Sequence, residues 1–260
     1  MPTKTRIFSA VLLAAVVLGT SSSCAAAQGT ATQSPEASAS QAPSPTPTPT
    51  PTPTPSGFNK QAQSITNPNS YWVVVNKLRP LNPLTYWPSD IVQVPVAHNH
   101  PAQMRKVAAD ALVAMFAAGQ SAGAGPMQVQ SSFRSYSAQK TTYDGWVRSL
   151  GIKQADIQSA RAGYSEHQTG LAVDISAVPA TCALAACFGT TPQGKWLAAN
   201  AWQYGYLLRY PADKTAITGY EYEPWHFRYI GVPLATEMHN EGVETLEEFF
   251  GLPPAPDYAQ

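Results

Sequence analysis

Apolar residues recur at helical spacing in three segments, each bounded by residues that start or stop helices. The clearest example places Met104, Leu112 and Met115 on one helix face, with Pro101 at the first position and Gly119 after the end. A capping serine with a closing glycine marks the second segment, and another initial proline marks the third. The pattern predicts helices over residues 101–118, 137–150 and 192–204.

Other segments alternate apolar and polar residues, as half-buried strands do. This pattern predicts strands over residues 127–134 and 171–176, and two short runs of β-branched or aromatic residues predict further strands over residues 71–75 and around 227–229. Near the end of the chain, Thr245 and Glu248 form a capping box that predicts a short final helix. Helices and strands are interspersed without a regular βαβ rhythm, so the predicted fold class is α+β.

The first 24 residues follow the pattern of a secretory signal. Lys4 and Arg6 precede a mostly apolar run from Ile7 to Leu18, and small residues come after it. A membrane-spanning helix is the alternative, but a span needs about 20 apolar residues and this run is shorter. We therefore expect an exported protein, with a signal peptide over residues 1–24.

Cys24 stands directly after the small residues that end the signal pattern. A cysteine at this place is a lipidation site in bacterial lipoproteins, although Ser21–Ser23 lack the usual leucine of a lipobox. The alternative is cleavage near residues 25–27 and free secretion. Both alternatives predict a protein of the cell wall or of the outer face of the cytoplasmic membrane.

Residues 25–57 are dominated by Ala, Ser, Gln, Thr and Pro, and residues 45–55 alternate proline with threonine. Such a composition cannot bury a core, and its prolines favour an extended polyproline II conformation. We interpret the segment as a disordered linker, which is either a stalk or a spacer of no specified length. Residues 58–260, with a core at about 70–252, are long enough to form one folded domain.

Two further cysteines, Cys182 and Cys187, are five positions apart in the predicted domain. In an exported protein this even pair predicts a disulfide that closes a short loop. A metal-binding thiol pair is the alternative, and it is weak because the sequence contains no second pair of cysteines.

The charge balance argues against one class of partner. The chain has 16 basic and 16 acidic residues, and removal of Lys4 and Arg6 with the signal leaves a net charge of about −2. Because nucleic-acid binding depends on basic surfaces, we expect no nucleic-acid partner.

Two short motifs contain the residue types of a metal site: His167 with Asp174, and Glu223 with His226. Together they offer two imidazoles, one carboxylate ligand and one spare carboxylate. Catalytic zinc sites use three protein ligands and keep a fourth position open for water. The spare carboxylate could then take a proton from that water.

The predicted local structure supports convergence of these groups. On the strand over residues 171–176, Asp174 would share a face with Ala172 and Ser176, whose small side chains leave room for a metal. Gly170 would let the chain turn so that the preceding histidine points to the same place. Pro224 disfavours a helix or regular strand in the second motif, so we expect a loop or bulge there.

Each of these residues taken singly has a simpler interpretation, such as a solvated carboxylate or a hydrogen-bonded core histidine. The pairing of the two motifs favours the metal site. Glu166 lies beside a predicted ligand, but in an extended chain it would point to the opposite side, so we interpret it as scaffold. No ligand role is predicted for three other histidines: His98, His100 and His239.

The motif Ser165-x-His167-x-x-Gly170-x-Ala172-x-Asp174, followed by Glu223-x-x-His226, resembles the VanY-type D-alanyl-D-alanine carboxypeptidases. Their zinc peptidase family also includes VanX dipeptidases, phage L-alanyl-D-glutamate endopeptidases and the hedgehog signalling domain. Three flanking segments resemble the family as well: residues 76–83, 132–139 and 245–249. The resemblance covers roughly residues 70–252 and implies one domain with a central, mainly antiparallel sheet flanked by helices.

The resemblance implies that Zn²⁺ is held by three ligands: His167, Asp174 and His226. It implies that Glu223 is the catalytic base and that the substrate is contacted by Arg134, Gln139 and Ser165. A guanidinium binds a carboxylate or a polarised carbonyl through two parallel hydrogen bonds, which suits Arg134 to both substrate binding and catalysis. A surface ion pair is the simpler alternative for this arginine.

The function that this resemblance implies is zinc-dependent hydrolysis of the terminal D-Ala-D-Ala bond of peptidoglycan stem peptides. An endopeptidase that cuts L-Ala-D-Glu or a crosslink is one alternative. A zinc-stabilised wall-binding module without turnover is another, although an intact Glu223 and Arg134 argue against it. We expect a monomer whose partners are stem peptides and, through a lipid on Cys24, the membrane.

Overall fold

A four-stranded antiparallel sheet carries Asp174 and His226, and its strands lie in the order Met127–Ser131, Ala172–Ala177, His226–Tyr229 and Tyr206–Leu208. A separate two-stranded sheet pairs Ile91–Gln93 with Gln103–Arg105. The computed structural model describes residues 57–259, and the strands within them are β1 Ile91–Gln93, β2 Gln103–Arg105, β3 Met127–Ser131, β4 Ala172–Ala177, β5 Tyr206–Leu208 and β6 His226–Tyr229. The predicted signal, Cys24 and the linker up to residue 56 lie outside the described residues.

Helices are interspersed between these strands: α1 Lys106–Ser121, α2 Tyr136–Leu150, α3 Ile152–Gln158, α4 Pro192–Asn200, α5 Thr215–Thr218, α6 Val232–Glu241 and α7 Leu246–Phe249. Short 3₁₀ turns cover Glu166–Thr169, Ala186–Thr190 and Ala201–Tyr204. The α+β prediction with a central antiparallel sheet is confirmed. Among residues 57–259, no helix combines the length and the apolar character needed to cross a membrane.

The main hydrophobic core lies between α1 and the four-stranded sheet. Strand β4 is buried along its whole length, and Val173 and Ile175 are fully inaccessible to solvent. They pack in one cluster with residues of α1, β3 and β6, including Leu112, Met115, Val129 and Phe227. A fully buried side chain of this size contributes about 1.5–3 kcal/mol of apolar transfer free energy, so the core fixes β4 firmly.

Several predicted boundaries differ from the structure. Helix α1 begins at residue 106, not 101, because residues 103–105 pair with β1, and Gly119 lies inside the helix. Ser135, not Ser137, caps α2, since its side chain accepts a hydrogen bond from the amide of Ala138. Strand β3 ends at Ser131, after an irregularity in its pairing with β4.

Residues 71–75 do not form the predicted strand. The segment is buried from Trp72 to Val75, but two of its carbonyl groups, those of Tyr71 and Val73, accept hydrogen bonds from Arg228. Another, that of Val74, accepts one from Arg79. The segment is thus a buried apolar run whose carbonyl groups are bound by arginine side chains rather than by a neighbouring strand.

Candidate active site

The register of β4 and β6 places Asp174 directly opposite His226. In an antiparallel pair, opposite residues on one face have their side chains close together. Here Oδ1 of Asp174 lies 3.1 Å from Nδ1 of His226, and both residues are about 95% buried, with exposures of 5% and 4%. The strand pairing alone thus joins the two motifs, which are 52 residues apart.

His167 reaches the same place from the 3₁₀ turn that precedes β4. Its Nε2 lies 3.3 Å from Oδ2 of Asp174, and its Nδ1 lies 2.7 Å from the carbonyl oxygen of Ser132. Gly170 ends the turn in the left-handed conformation, with φ of 69°. A Cβ atom there would stand 2.7 Å from Cδ1 of Ile91, so both the turn and the packing require glycine.

Three potential ligand atoms, one each from His167, Asp174 and His226, lie within 4.8 Å of one another. Two imidazole nitrogens with one carboxylate oxygen form a donor set typical of catalytic zinc. The carbonyl of Ser132 accepts from Nδ1 of His167, which leaves Nε2 free of a proton for a metal. The residues present therefore fit a zinc ion.

Burial and charge oppose each other in this cluster. Burial alone would raise the pKa of Asp174, but His167 and His226 hold it well below its usual value. Burial would likewise lower the pKa of His226, but hydrogen bonds to Asp174 and Glu166 outweigh it and raise the pKa to about 9. For His167 burial prevails over the attraction of Asp174, and its pKa is lowered. The carboxylate is thus ready to bind a cation.

Glu223 lies in the loop directly before β6, as expected from Pro224. Its amide donates to the carbonyl of Tyr210 at 3.0 Å, and its own carbonyl accepts from the amide of His226 at 3.1 Å. These bonds place Oε2 of Glu223 3.7 Å from Nδ1 of His226. Burial raises the pKa of Glu223 to about 8; His226 opposes the rise and Asp174 adds to it.

Arg134 lies in the loop after β3, not on the strand itself. Its guanidinium donates to Oε1 of Gln139 and to Oγ of Ser131, both at 2.9 Å. Gln139 is fully buried, and its amide nitrogen donates to the carbonyl of Ala160 at 2.6 Å. Both polar ends of Gln139 are therefore engaged by protein groups, and the side chain orients Arg134 over the cleft.

A cleft of about 440 Å³ opens above these groups. Ser165 lines it together with Arg134 and Glu223, so the predicted substrate contacts share one surface with the histidines. Two exposed apolar side chains also line this cleft, Trp146 of α2 and Leu184. Leu184 belongs to the loop closed by the disulfide between Cys182 and Cys187.

The side chain of Glu166 lies on the same side as the histidines, not on the opposite side as predicted for an extended chain. Its side chain is fully buried, and Oε2 lies 3.4 Å from Nε2 of His226. The extended chain assumed for the motif is a 3₁₀ turn, which brings Glu166 to the same side as the histidines. The sequence did contain one signal for this role, because Glu166 is an acidic residue directly before the predicted ligand His167. The three remaining histidines, His98, His100 and His239, are exposed.

The chain belongs to the VanY family of D-alanyl-D-alanine carboxypeptidases, whose model matches residues 101–232. It is 42% identical over 193 residues to the Bacillus subtilis (strain 168) protein YodJ, which carries the name of a carboxypeptidase; the match covers 72% of this chain and 70% of that protein. It is 39% identical over 121 residues to a D-alanyl-D-alanine carboxypeptidase of Enterococcus faecium, covering 46% of this chain and 35% of the relative.

Solved structures agree with this assignment. The LdcB LD-carboxypeptidase superimposes with a TM-score of 0.66 at 42% identity, covering 71% of this chain and 87% of LdcB. The D,D-pentapeptidase VanY of a VanB-type resistance cassette, solved with Zn(II), gives a TM-score of 0.57 at 29% identity, covering 70% of this chain and 98% of that one. The predicted resemblance is thereby confirmed.

Proposed function

We propose that this protein is a zinc-dependent carboxypeptidase that releases the terminal D-alanine of peptidoglycan stem peptides. The observation that carries the proposal is the convergence of His167, Asp174 and His226 at the base of an open cleft, with Glu223 beside them. Two imidazoles and one carboxylate leave a tetrahedral ion one open position, which is the arrangement of catalytic zinc rather than of structural zinc.

The three ligands would be Nε2 of His167, a carboxylate oxygen of Asp174 and Nδ1 of His226, since these atoms face one another. When bound, zinc supplies the Lewis acidity that activates water and polarises a peptide carbonyl. The zinc complex of a related VanY supports the choice of metal.

Glu223 acts as the general base in this proposal. Two backbone hydrogen bonds fix the main chain of Glu223, and its side chain lies beside His226 and is 15% exposed, so the carboxylate can reach water bound in the cleft. It takes a proton from the attacking water and returns that proton to the leaving amine. Burial has already raised its proton affinity, which suits a group that must hold a proton between the two steps.

Arg134 binds the charge that the substrate carries or develops. Gln139 and Ser131 fix two of its nitrogens, so the guanidinium has a defined orientation in the cleft wall. A preoriented donor of this kind stabilises a terminal carboxylate or the oxyanion of the tetrahedral state without reorganising. Ser165, on the same wall, is proposed as a further substrate contact.

The terminal D-Ala-D-Ala bond is the first candidate for the bond that is cleaved. The family description and the Enterococcus faecium relative support it by their names. A related VanY structure contains D-alanine-D-alanine, which supports the same chemistry. Because the catalytic cleft is open rather than enclosed, a stem peptide could extend out of it beyond Trp146 and Leu184.

Removal of D-alanine from a tetrapeptide stem, an L,D cleavage, is the second candidate. The specific observation in its favour is the likeness to LdcB, an LD-carboxypeptidase, at 42% identity against 29% for VanY. The two candidates share the zinc site and the leaving D-alanine. They differ in the length of the stem and in the residue on the other side of the scissile bond, which is D-alanine in the D,D candidate and an L-residue in the L,D candidate.

A digest of purified stem tetrapeptide and pentapeptide, followed by mass spectrometry, tests the proposal. Loss of one alanine from the pentapeptide supports the D,D candidate, and loss from the tetrapeptide alone supports the L,D candidate. Internal cleavage would instead support an endopeptidase. Absence of any hydrolysis by the zinc-loaded protein would favour a wall-binding module. A parallel digest with a chelator tests the need for metal.

We further propose export and attachment to the cell envelope, supported by the signal pattern, Cys24 and the proline–threonine linker. The position of Cys24 favours a lipid anchor, and free secretion remains the alternative. Fractionation of cells that express the wild type or Cys24→Ala distinguishes them. Transfer of the protein from the membrane to the medium only in the variant supports the anchor. The proposed working unit is a monomer.

A further inference from the structure

Glu166 accepts hydrogen bonds from two arginines and approaches a predicted metal ligand, all in the protein interior. Its Oε1 accepts from Nε of Arg209 and from Nη1 of Arg228, both at 2.9 Å. Its Oε2 lies 3.4 Å from Nε2 of His226. The side chains of Glu166 and both arginines are fully buried. A buried carboxylate held by two guanidinium groups cannot easily change its position.

The two nitrogens of His226 face different carboxylates. Nδ1 faces Asp174 at 3.1 Å, whereas Nε2 faces Glu166 at 3.4 Å. Only Nδ1 lies on the side where the potential ligand atoms converge. A neutral imidazole has one protonated nitrogen and one with a lone pair, so the partner of one nitrogen determines which atom can bind a metal.

We propose that Glu166 is a positioning residue that accepts a hydrogen bond from Nε2–H of His226 and thereby presents Nδ1 to the metal. This inference rests on the proposed zinc centre. The carbonyl of Ser132 does the same for His167, with the opposite nitrogen. The two histidines would therefore bind through different atoms, Nε2 of His167 and Nδ1 of His226, each fixed by its own acceptor.

A second acid in the same ion network provides a matched control. Glu247 binds two nitrogens of Arg209 at 2.7 and 2.9 Å and is also fully buried. Within residues 57–259, Glu247 accepts from Asn76 and Arg209, and its hydrogen-bonded path to the site runs through Arg209. Glu166→Gln and Glu247→Gln both remove one negative charge next to Arg209, so both should destabilise the fold. Only Glu166→Gln also changes the acceptor of His226.

The test measures the zinc dissociation constant of the full chain by competition with a chromogenic chelator. We expect one zinc per wild-type chain, a dissociation constant raised about 10–100-fold in Glu166→Gln, and a change of less than about threefold in Glu247→Gln. If zinc binding weakened equally in both variants, the cause would be a general loss of stability, and the inference would be overturned. An unchanged constant in Glu166→Gln would overturn it as well.

A measurement on the wild type keeps the inference testable if Glu166→Gln fails to fold. Long-range ¹H–¹⁵N NMR spectra of the zinc-loaded protein report which nitrogen of His226 carries the proton. We expect the proton on Nε2, and a proton on Nδ1 would contradict the proposal. A wild type that takes up no zinc would overturn the metal centre together with this inference, whereas normal uptake with the wrong tautomer would overturn this inference alone.

Discussion

Asp174 and His226 are opposite each other across β4 and β6, with 3.1 Å between carboxylate oxygen and imidazole nitrogen. The pairing register that builds the sheet therefore also brings together two of the three candidate metal ligands. A shift of one residue would turn one of the two side chains to the other face. Val173 and Phe227, the neighbouring opposite pair, are buried in the core and hold this register.

Glu223→Gln should remove most of the activity while leaving the metal in place. The amide keeps the shape of the side chain but cannot take a proton, so we expect kcat to fall by about 10²–10⁴-fold. Zinc content should stay at the wild-type level, because Glu223 is not among the three converging ligands. Release of D-alanine and bound zinc are measured on the same preparation.

Glu221→Gln is the control for this variant. Glu221 is exposed, two residues away, and its carboxylate contacts only the side chain of Gln158 among the hydrogen bonds of the described chain. It should behave as the wild type. Full activity of Glu223→Gln would exclude Glu223 as the base.

Zinc binding should weaken as the pH falls. The pKa of His226 is raised to about 9 in the metal-free protein, so below that pH a proton competes with the metal for the imidazole. While this group is protonated, the apparent zinc affinity should drop by about tenfold for each pH unit. Chelator competition at pH 6, 7 and 8 measures the slope, and a flat profile would contradict a raised pKa.

Arg134→Lys should lower activity although it keeps the positive charge. Lysine cannot reproduce the two fixed hydrogen bonds to Gln139 and Ser131, so the orientation of the charge in the cleft is lost. We expect kcat/KM to fall by about 10²-fold. Arg148→Lys, at an exposed position of α2, serves as the matched control and should have no effect.

Removal of the disulfide should weaken substrate binding more than it lowers the stability of the fold. The bond between Cys182 and Cys187 closes the short loop that carries Leu184 into the cleft wall. A variant with serine at both positions must order this loop on binding, at about 0.5–1.5 kcal/mol per side chain, so KM should rise about twofold to tenfold. Leu184→Ala with the disulfide intact should raise KM by a similar factor. If KM were unchanged in both variants, the disulfide loop would have no role in substrate binding.

Asp156→Asn should destabilise the protein at neutral pH but not in acid. Burial would raise the pKa of Asp156, but its hydrogen bonds to Arg161 and Tyr143 outweigh burial and lower it. The stabilisation that the Asp156 carboxylate contributes is therefore fully present above its pKa in the unfolded chain, about 3.9, and is lost as the pH falls below that value. We expect a loss of about 1–2 kcal/mol at pH 7, measured by urea unfolding, and a much smaller one at pH 3.

The main parts of the fold and the candidate ligands followed from local sequence patterns. Alternation over residues 171–176 located β4, and the small residues beside Asp174 indicated the face that holds the site. Pro224 indicated the loop that carries Glu223. These features depend on residues near one another in sequence, where spacing and backbone restrictions are informative.

The sequence could not reveal contacts between distant segments. Glu166 meets Arg209, 43 residues away, and Arg228, 62 residues away, and no periodic pattern links such positions. The same arginine at position 228 binds carbonyls of the segment 71–75, which is why that apolar run is not a strand. Fully buried charged residues are uncommon, so the presence of Arg209 and Arg228 in the sequence does not by itself indicate a buried ion network.

The proline-rich tail beyond α7 is anchored to the domain by burial and by hydrogen bonds. Ala255 is fully buried, the carbonyl of Pro256 accepts from the ammonium group of Lys77, and the hydroxyl of Tyr258 accepts from the amide of Arg161. A shortened expression clone that stops at residue 252 would remove one of the two carbonyl groups that bind the buried ammonium of Lys77, leaving that of Gly219. Purification tags are therefore better fused ahead of residue 57 than joined to this tail.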